Sequence, residues 1–118
     1  MFKMIKSFLE KTEYSVQITE EGFHIISGFG LKHTQICWAD IKSIWAVRYF
    51  PANLKLVIQY QKNGHHRHLF VFDDIPIWNE IVKKLCDKLP MFNVKAIEDA
   101  HEDIYEQIHI CWTKDSEK

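Results

Sequence analysis

The sequence predicts an α+β fold, in which an antiparallel curled sheet or partly open barrel of about six to seven strands is capped by an amphipathic helix. Three observations predict it. Apolar and polar residues alternate in short runs bounded by turn residues, Asn63-Gly64 separates two such runs, and residues 77–89 carry an apolar stripe at helical spacing. A chain of 118 residues, 47% hydrophobic and 14% aromatic, has room for one domain, 1–118, with one continuous core and no need of disulfide or metal.

Residues 2–12 place Phe2, Ile5, Phe8 and Leu9 on one side, with Lys3, Lys6, Glu10 and Lys11 mostly on the other, which predicts a short amphipathic N-terminal helix. Tyr14, Val16 and Ile18 alternate with Ser15, Gln17 and Thr19 as a half-buried strand, and Glu20-Glu21-Gly22 is a turn. Phe23 to Ser27 resumes the strand pattern, Gly28 and Gly30 interrupt it, and Lys32 to Trp38 restores it. From Gln35 to Val47, two tryptophans and three isoleucines surround a turn at Ala39-Asp40 and a strand starting near Ser43. Each large side chain in that corner gains roughly 1.5 to 3 kcal/mol on burial, so Trp38 and Trp45 are expected in the core.

Pro51-Ala52-Asn53 turns the chain into a strand over 54–61, and Asn63-Gly64 suits a two-residue type I′ loop because both residues tolerate positive φ. That loop fixes the register: Ile58 faces Leu69, Leu56 faces Val71, Val57 faces Phe70 and Lys55 faces Phe72. Leu56, Ile58, Leu69 and Val71 fill one side of the hairpin, while Val57, Phe70 and Phe72 crowd the other. An antiparallel sheet with one wet face should be polar there, so this excess calls for a covering segment or a partner.

Asp73 or Asp74, followed by Pro76, is expected to cap a helix bearing Ile77, Trp78, Ile81, Val82, Leu85 and Leu89, which Pro90 stops. Beyond it, Val94, Ile97, His101, Ile104 and Ile108 suggest a helical tail with Glu98, Asp99, Glu102, Asp103 and Glu106 around its remainder. Ile108 to Trp112 reads equally as a closing strand. The core is expected within 14–89, with an acidic C-terminal segment over 91–118.

This order of elements resembles the pleckstrin-homology-like fold in its short bacterial stand-alone form. The resemblance rests on Thr19-Glu20-Glu21-Gly22-Phe23, Ser27-Gly28, Trp38-Ala39-Asp40-Ile41-Lys42-Ser43-Ile44, the Asn63-Gly64 hairpin and the helix bearing Trp78, and covers about residues 14–89. It departs in having six strands where the family has seven, the remaining one missing, split or supplied by the tail. The resemblance implies phosphoinositide binding where the first strand-to-strand turn is basic, but here two carboxylates would repel an anionic headgroup.

Charge and cysteine content narrow the function classes. Net charge is -1, with 12 Lys and Arg against 9 Asp and Glu over residues 1–89, and 3 against 7 over residues 90–118. Such a balance offers no basic field for nucleic acid. Cys37, Cys86 and Cys111 are widely spaced and odd in number, which suits reduced thiols, and their apolar neighbours suggest buried side chains. Neither a signal-peptide core nor a run of ~18 apolar residues is present, so a cytoplasmic protein without a transmembrane segment is expected.

No local pattern supplies a nucleophile with its base, or paired carboxylates around Asp40, so no enzymatic activity is assigned. His65, His66 and His68 flank Arg67 beside the hairpin tip. His66 and His68 share a face and suit a transition metal with His33 or Cys37 as a third ligand, but solvated side chains are the plainer reading, and no metal or cofactor is assigned.

The expected function is a non-enzymatic protein-binding module, in concrete form an immunity-type protein that neutralises a cognate toxin. Its predicted contacts are Glu98, Asp99, Glu102, Asp103 and Glu106 toward a basic toxin domain, and Val57, Phe70 and Phe72 as apolar anchors. The alternative is a small-ligand or lipid-headgroup binder, and homodimerisation through the same patch is a third possibility.

Overall fold

The computed structural model describes residues 14–27, 32–48, 53–103 and 107–114. The helix expected over residues 2–12, Pro51-Ala52, Ile104 and Glu106 lie outside the described residues. The chain divides into two compact units, residues 1–37 and 38–118. Its architecture is α+β, with antiparallel pairing throughout.

In the first unit, β1 (Tyr14–Ile18), β2 (Gly22–Ser27) and β3 (Lys32–Cys37) form a sheet of order β1-β2-β3. The β1–β2 turn closes through backbone bonds between Thr19 and Gly22 of 2.7 and 3.3 Å, and the Thr19 hydroxyl donates to the Gly22 carbonyl and accepts from the Glu21 N–H. Gly22 has φ +145°, and a Cβ there would stand 1.9 Å from the Ile36 carbonyl oxygen. Only glycine fits that crossing. Pairing of Val16 with Ile25, Ile18 with Phe23 and Phe23 with Ile36 gathers the apolar side chains on one face, where Phe23 and Ile36 are fully buried.

In the second unit, a 3-10 turn at Trp38–Asp40 leads into β4 (Ile41–Arg48), followed by β5 (Leu54–Lys62), β6 (His65–Phe72) and, from the end of the chain, β7 (His109–Thr113). Their order is β6-β5-β4-β7. Asn63 and Gly64 take φ of 53° and 78°, and the β5–β6 register they set is the one their loop length predicts, Val57 opposite Phe70 and Leu56 opposite Val71.

Among the described residues, the strands expected in one curled sheet thus form two sheets of three and four, with no closed barrel. The physical reason lies in β4, which pairs with β5 on one edge and with β7 on the other and so has no edge left for β3.

Helix α1 (Trp78–Lys88) buries Ile81 and Leu85, and its Leu89 N–H closes onto the Leu85 carbonyl before Pro90. The expected Asp73 or Asp74 cap is not made: the helix enters through Ile77 without a side-chain cap. Asp74 instead accepts from the Asn53 amide, and Asp73 faces His101 at 3.5 Å.

Helix α2 (Lys95–Glu102) buries Ala96, Ile97 and Ala100 and packs on β4 and β7. Of the residues predicted to line its apolar side, His101 is exposed and Val94 is 43% exposed. The tail belongs to the core: Cys111 and Trp112 are buried, the Trp112 indole N–H donates to the Pro90 carbonyl at 2.9 Å, and the Asn93 N–H donates to the Cys111 carbonyl at 2.8 Å. The core therefore does not stop at residue 89. No helix among the described residues is long and apolar enough to cross a membrane.

Candidate protein-binding face

Strand alternation decides what each face of the four-stranded sheet carries. Cross-strand partners share a face, so Ile44 with Ile58 and Trp112, Ala46 with Leu56 and His109, and Leu69 and Val71 beyond them make one layer. Its apolar members, Leu54 included, are at most 5% exposed. The other face carries Trp45, Val47, Lys55, Val57, Gln59, His68, Phe70, Phe72 and Ile110. Here Phe70 is 42% exposed, Phe72 40% and Ile110 59%, while Val57 and Val47 form the buried floor.

The open face has internal order. The Trp45 and His68 rings meet edge to face at 5.9 Å, the Lys55 ammonium stands 4.5 Å over the Phe70 ring, and the Ser43 hydroxyl donates to the Gln59 amide oxygen at 2.8 Å. Such ring and cation–π contacts hold aromatics in fixed orientations at the surface. Between them, Trp45, Val47, Val57, Phe70 and Ile108 line an open depression of about 500 Å³ that Lys55 and His68 border. Among the described residues, no carboxylate lines it.

Val57, Phe70 and Phe72 are thus brought together on one surface, and sequence reasoning missed three of their neighbours. Trp45, expected in the core, is only partly buried and belongs to this face, because Ile44 and Ala46 take the inward positions of β4. Ile108 and Ile110, read as a helix seam or a closing strand, are 61% and 59% exposed beside it. Two apolar registers interleave on β4, Trp45 and Val47 with Ile44 and Ala46, and nothing local tells which of them faces outward.

The acidic residues are not part of this surface. Arg48, on the covered face with Ala46, donates from Nη1 to the His101 carbonyl at 2.6 Å, and His109, opposite Ala46, meets the Asp103 carboxylate at 2.9 Å. These bonds fix the C-terminal end of α2 on the covered side. Of the predicted acidic contacts, Glu98, Asp99 and Glu102 are exposed there, with Asp99 paired to Lys95 at 3.2 Å, while Asp103 is spent on His109 and Glu106 lies outside the described residues. The exposed carboxylates and the apolar face thus lie on opposite sides of the sheet.

The remaining candidates separate as well. Glu20 and Glu21 are exposed in the β1–β2 turn, which keeps that turn acidic. His65, His66 and His68 are exposed, and among the described residues no three His, Cys, Asp or Glu gather around one point. His33, considered as a third ligand, bonds His24 across β2 and β3 at 2.9 Å. The cysteines divide: Cys37 and Cys86 are exposed, contrary to expectation, and Cys111 is buried. Burial pushes the Cys111 thiol up to about 12, against a smaller opposing pull from a hydrogen bond with the Ala46 backbone. A thiol held protonated in this way is a packing group and a poor nucleophile.

Compared with known proteins, the chain matches no family model, no curated protein and no solved structure.

Proposed function

We propose that this chain is a non-enzymatic protein-binding module that seats its partner on the open face of the four-stranded sheet. One observation carries the reading: Phe70, Phe72, Ile108 and Ile110 are all 40% or more exposed around a floor of Val47 and Val57. Soluble proteins rarely leave so large a contiguous apolar area in water without a use for it. The centre suits a binding hot spot, with aromatic rings over buried valines and polar groups at the edge.

In its concrete form the module is an immunity-type protein occluding a toxin, as the resemblance to short pleckstrin-homology-like chains implies. The exposed carboxylates of α2 then offer a second, separate contact for a basic toxin domain, on the far side of the sheet. The depression beside Lys55 and His68 supports a second reading, an anionic small ligand or lipid headgroup.

A pull-down with the product of the adjacent gene tests the first reading. Phe70→Glu and Phe72→Glu should each abolish capture with the circular dichroism spectrum unchanged, while Glu98→Lys with Glu102→Lys should leave the apolar contact intact. Capture indifferent to both phenylalanines sinks the proposal. So does a wild-type chain that is dimeric by light scattering and becomes monomeric with Phe72→Glu, because the face is then self-occupied. Flotation with anionic vesicles that Lys55→Glu abolishes transfers the face to the second reading.

A further inference from the structure

The polar face of the three-stranded sheet carries a feature that the protein-binding reading does not use. His24 on β2 and His33 on β3 bring Nε2 and Nδ1 within 2.9 Å of each other, with ring centroids 5.1 Å apart and planes at 78°. Their strands are hydrogen-bonded neighbours, with Ile26 opposite His33 and Gln35 opposite His24, so the two imidazoles reach toward each other diagonally across the ladder. Gln17, Gln35 and Cys37 share that face by alternation. His33 is exposed and His24 half-buried, so water reaches the pair.

We propose that His24 and His33 are a two-nitrogen chelate for a divalent late first-row metal ion of octahedral or tetragonal geometry, of which nickel and copper are the chemical type. Metal–imidazole bonds are about 2.0 to 2.1 Å long. Two such bonds at a right angle separate their nitrogens by about 2.9 Å, whereas a tetrahedral angle requires about 3.3 Å. The 2.9 Å between the nitrogens is the length of the hydrogen bond they share, close to that right-angle span, so only a small opening of the pair is needed to seat an ion. Small rotations of the rings turn the nitrogens from each other toward a common point; the ring that donates the shared proton carries it on its other nitrogen instead, and the two lone pairs bind the ion, with water filling the other positions. Two donors on paired strands are already ordered by the ladder, so little conformational freedom is lost on binding.

Titration calorimetry of the untagged full-length chain with nickel chloride in a non-coordinating buffer tests the assignment. Nickel is the probe because it does not oxidise the exposed thiols. One ion per chain is expected. His24→Ala and His33→Ala should each weaken it by about tenfold or more, and the double variant His66→Ala with His68→Ala should not. Unchanged affinity in either single variant, or an equal loss in the double variant, overturns the proposal. Should a single variant fail to fold, imidazole proton spectra of the wild-type chain decide. Paramagnetic broadening that begins at His24 and His33 supports the chelate, and broadening that begins at His65, His66 or His68 overturns it.

Discussion

The two faces of the four-stranded sheet are built from interleaved residues of the same strands, yet they meet different fates. On β4, Ile44 and Ala46 are fully buried while Trp45 between them is only partly so; on β6, Leu69 and Val71 are buried while Phe70 and Phe72 stand 42% and 40% exposed. Hydrophobicity therefore does not decide which side becomes core, since the open side holds the larger rings. Placement in the fold separates them: Trp112 lies on the Ile44 side, and α2 packs on β4 and β7 with its end bound to Arg48 and His109 on that same side. One face is structural by virtue of being covered, and the other leaves large apolar side chains at the surface.

The difference can be broken first at the covered face. Leu56→Ala should cost about 2 to 5 kcal/mol, read from urea unfolding, because a fully buried position next to β6 cannot collapse around the lost volume. A cost under ~1 kcal/mol would show that this face is not the core.

The second prediction uses β7, where buried Cys111 follows exposed Ile110. The folded thiol titrates near 12 against an ordinary value near 9, so the folded state holds its proton more tightly and Cys111 favours folding below pH 9. That contribution fades as pH rises from 9 toward 12, by roughly 2 to 3 kcal/mol at pH 11. Tyr60, raised by burial despite the opposing Arg67 charge, adds to the same alkaline loss. Cys111→Val should flatten the slope of stability against pH over that window. An unaltered slope would place the thiol in water.

Third, the clamp that selects the covered side can be loosened. His109→Ala removes the 2.9 Å bond to Asp103, both partners being largely buried, and should cost about 1 to 2 kcal/mol in thermal unfolding. Hydrogen exchange should rise in α2 more than in β5. Uniform exchange across both elements would mean that the clamp does not act locally.

The smallest effect belongs to the open face. Phe72→Ser should change stability by no more than about 0.5 kcal/mol while weakening partner capture. A loss of several kcal/mol would reveal this face as hidden core.

Much of this arrangement is legible in the sequence where the cause is local. Asn63-Gly64 dictates the hairpin register, Pro90 the end of α1, and Gly22 the first turn. The faces of β4 are not legible, because Ile44, Trp45, Ala46 and Val47 are all apolar and no alternation marks the inward pair. The tail defeats pattern reading for another reason. Ile97 and Ile108 fit one helical seam on paper, but the helix stops at Glu102 and β7 begins at His109, a switch enforced by partners far along the chain: β4 for the strand, Arg48 and His109 for the helix end. Likewise, the five acidic residues form a single group on paper, although Asp103 is committed to an internal pair. For the candidate site, Val57, Phe70 and Phe72 follow from hairpin register, whereas Trp45, Ile108 and Ile110 join them only through tertiary placement.

The position of β7 also bears on synthesis. Its hydrogen-bonding mate β4 leaves the ribosome some sixty residues earlier, so throughout that interval the Ser43–Ala46 edge has open amide and carbonyl groups on a strand rich in isoleucine and tryptophan. Messages that terminate before His109 yield a product fixed in that condition, able to recruit strands from other molecules, and such fragments should accumulate in aggregates while the intact translation product does not.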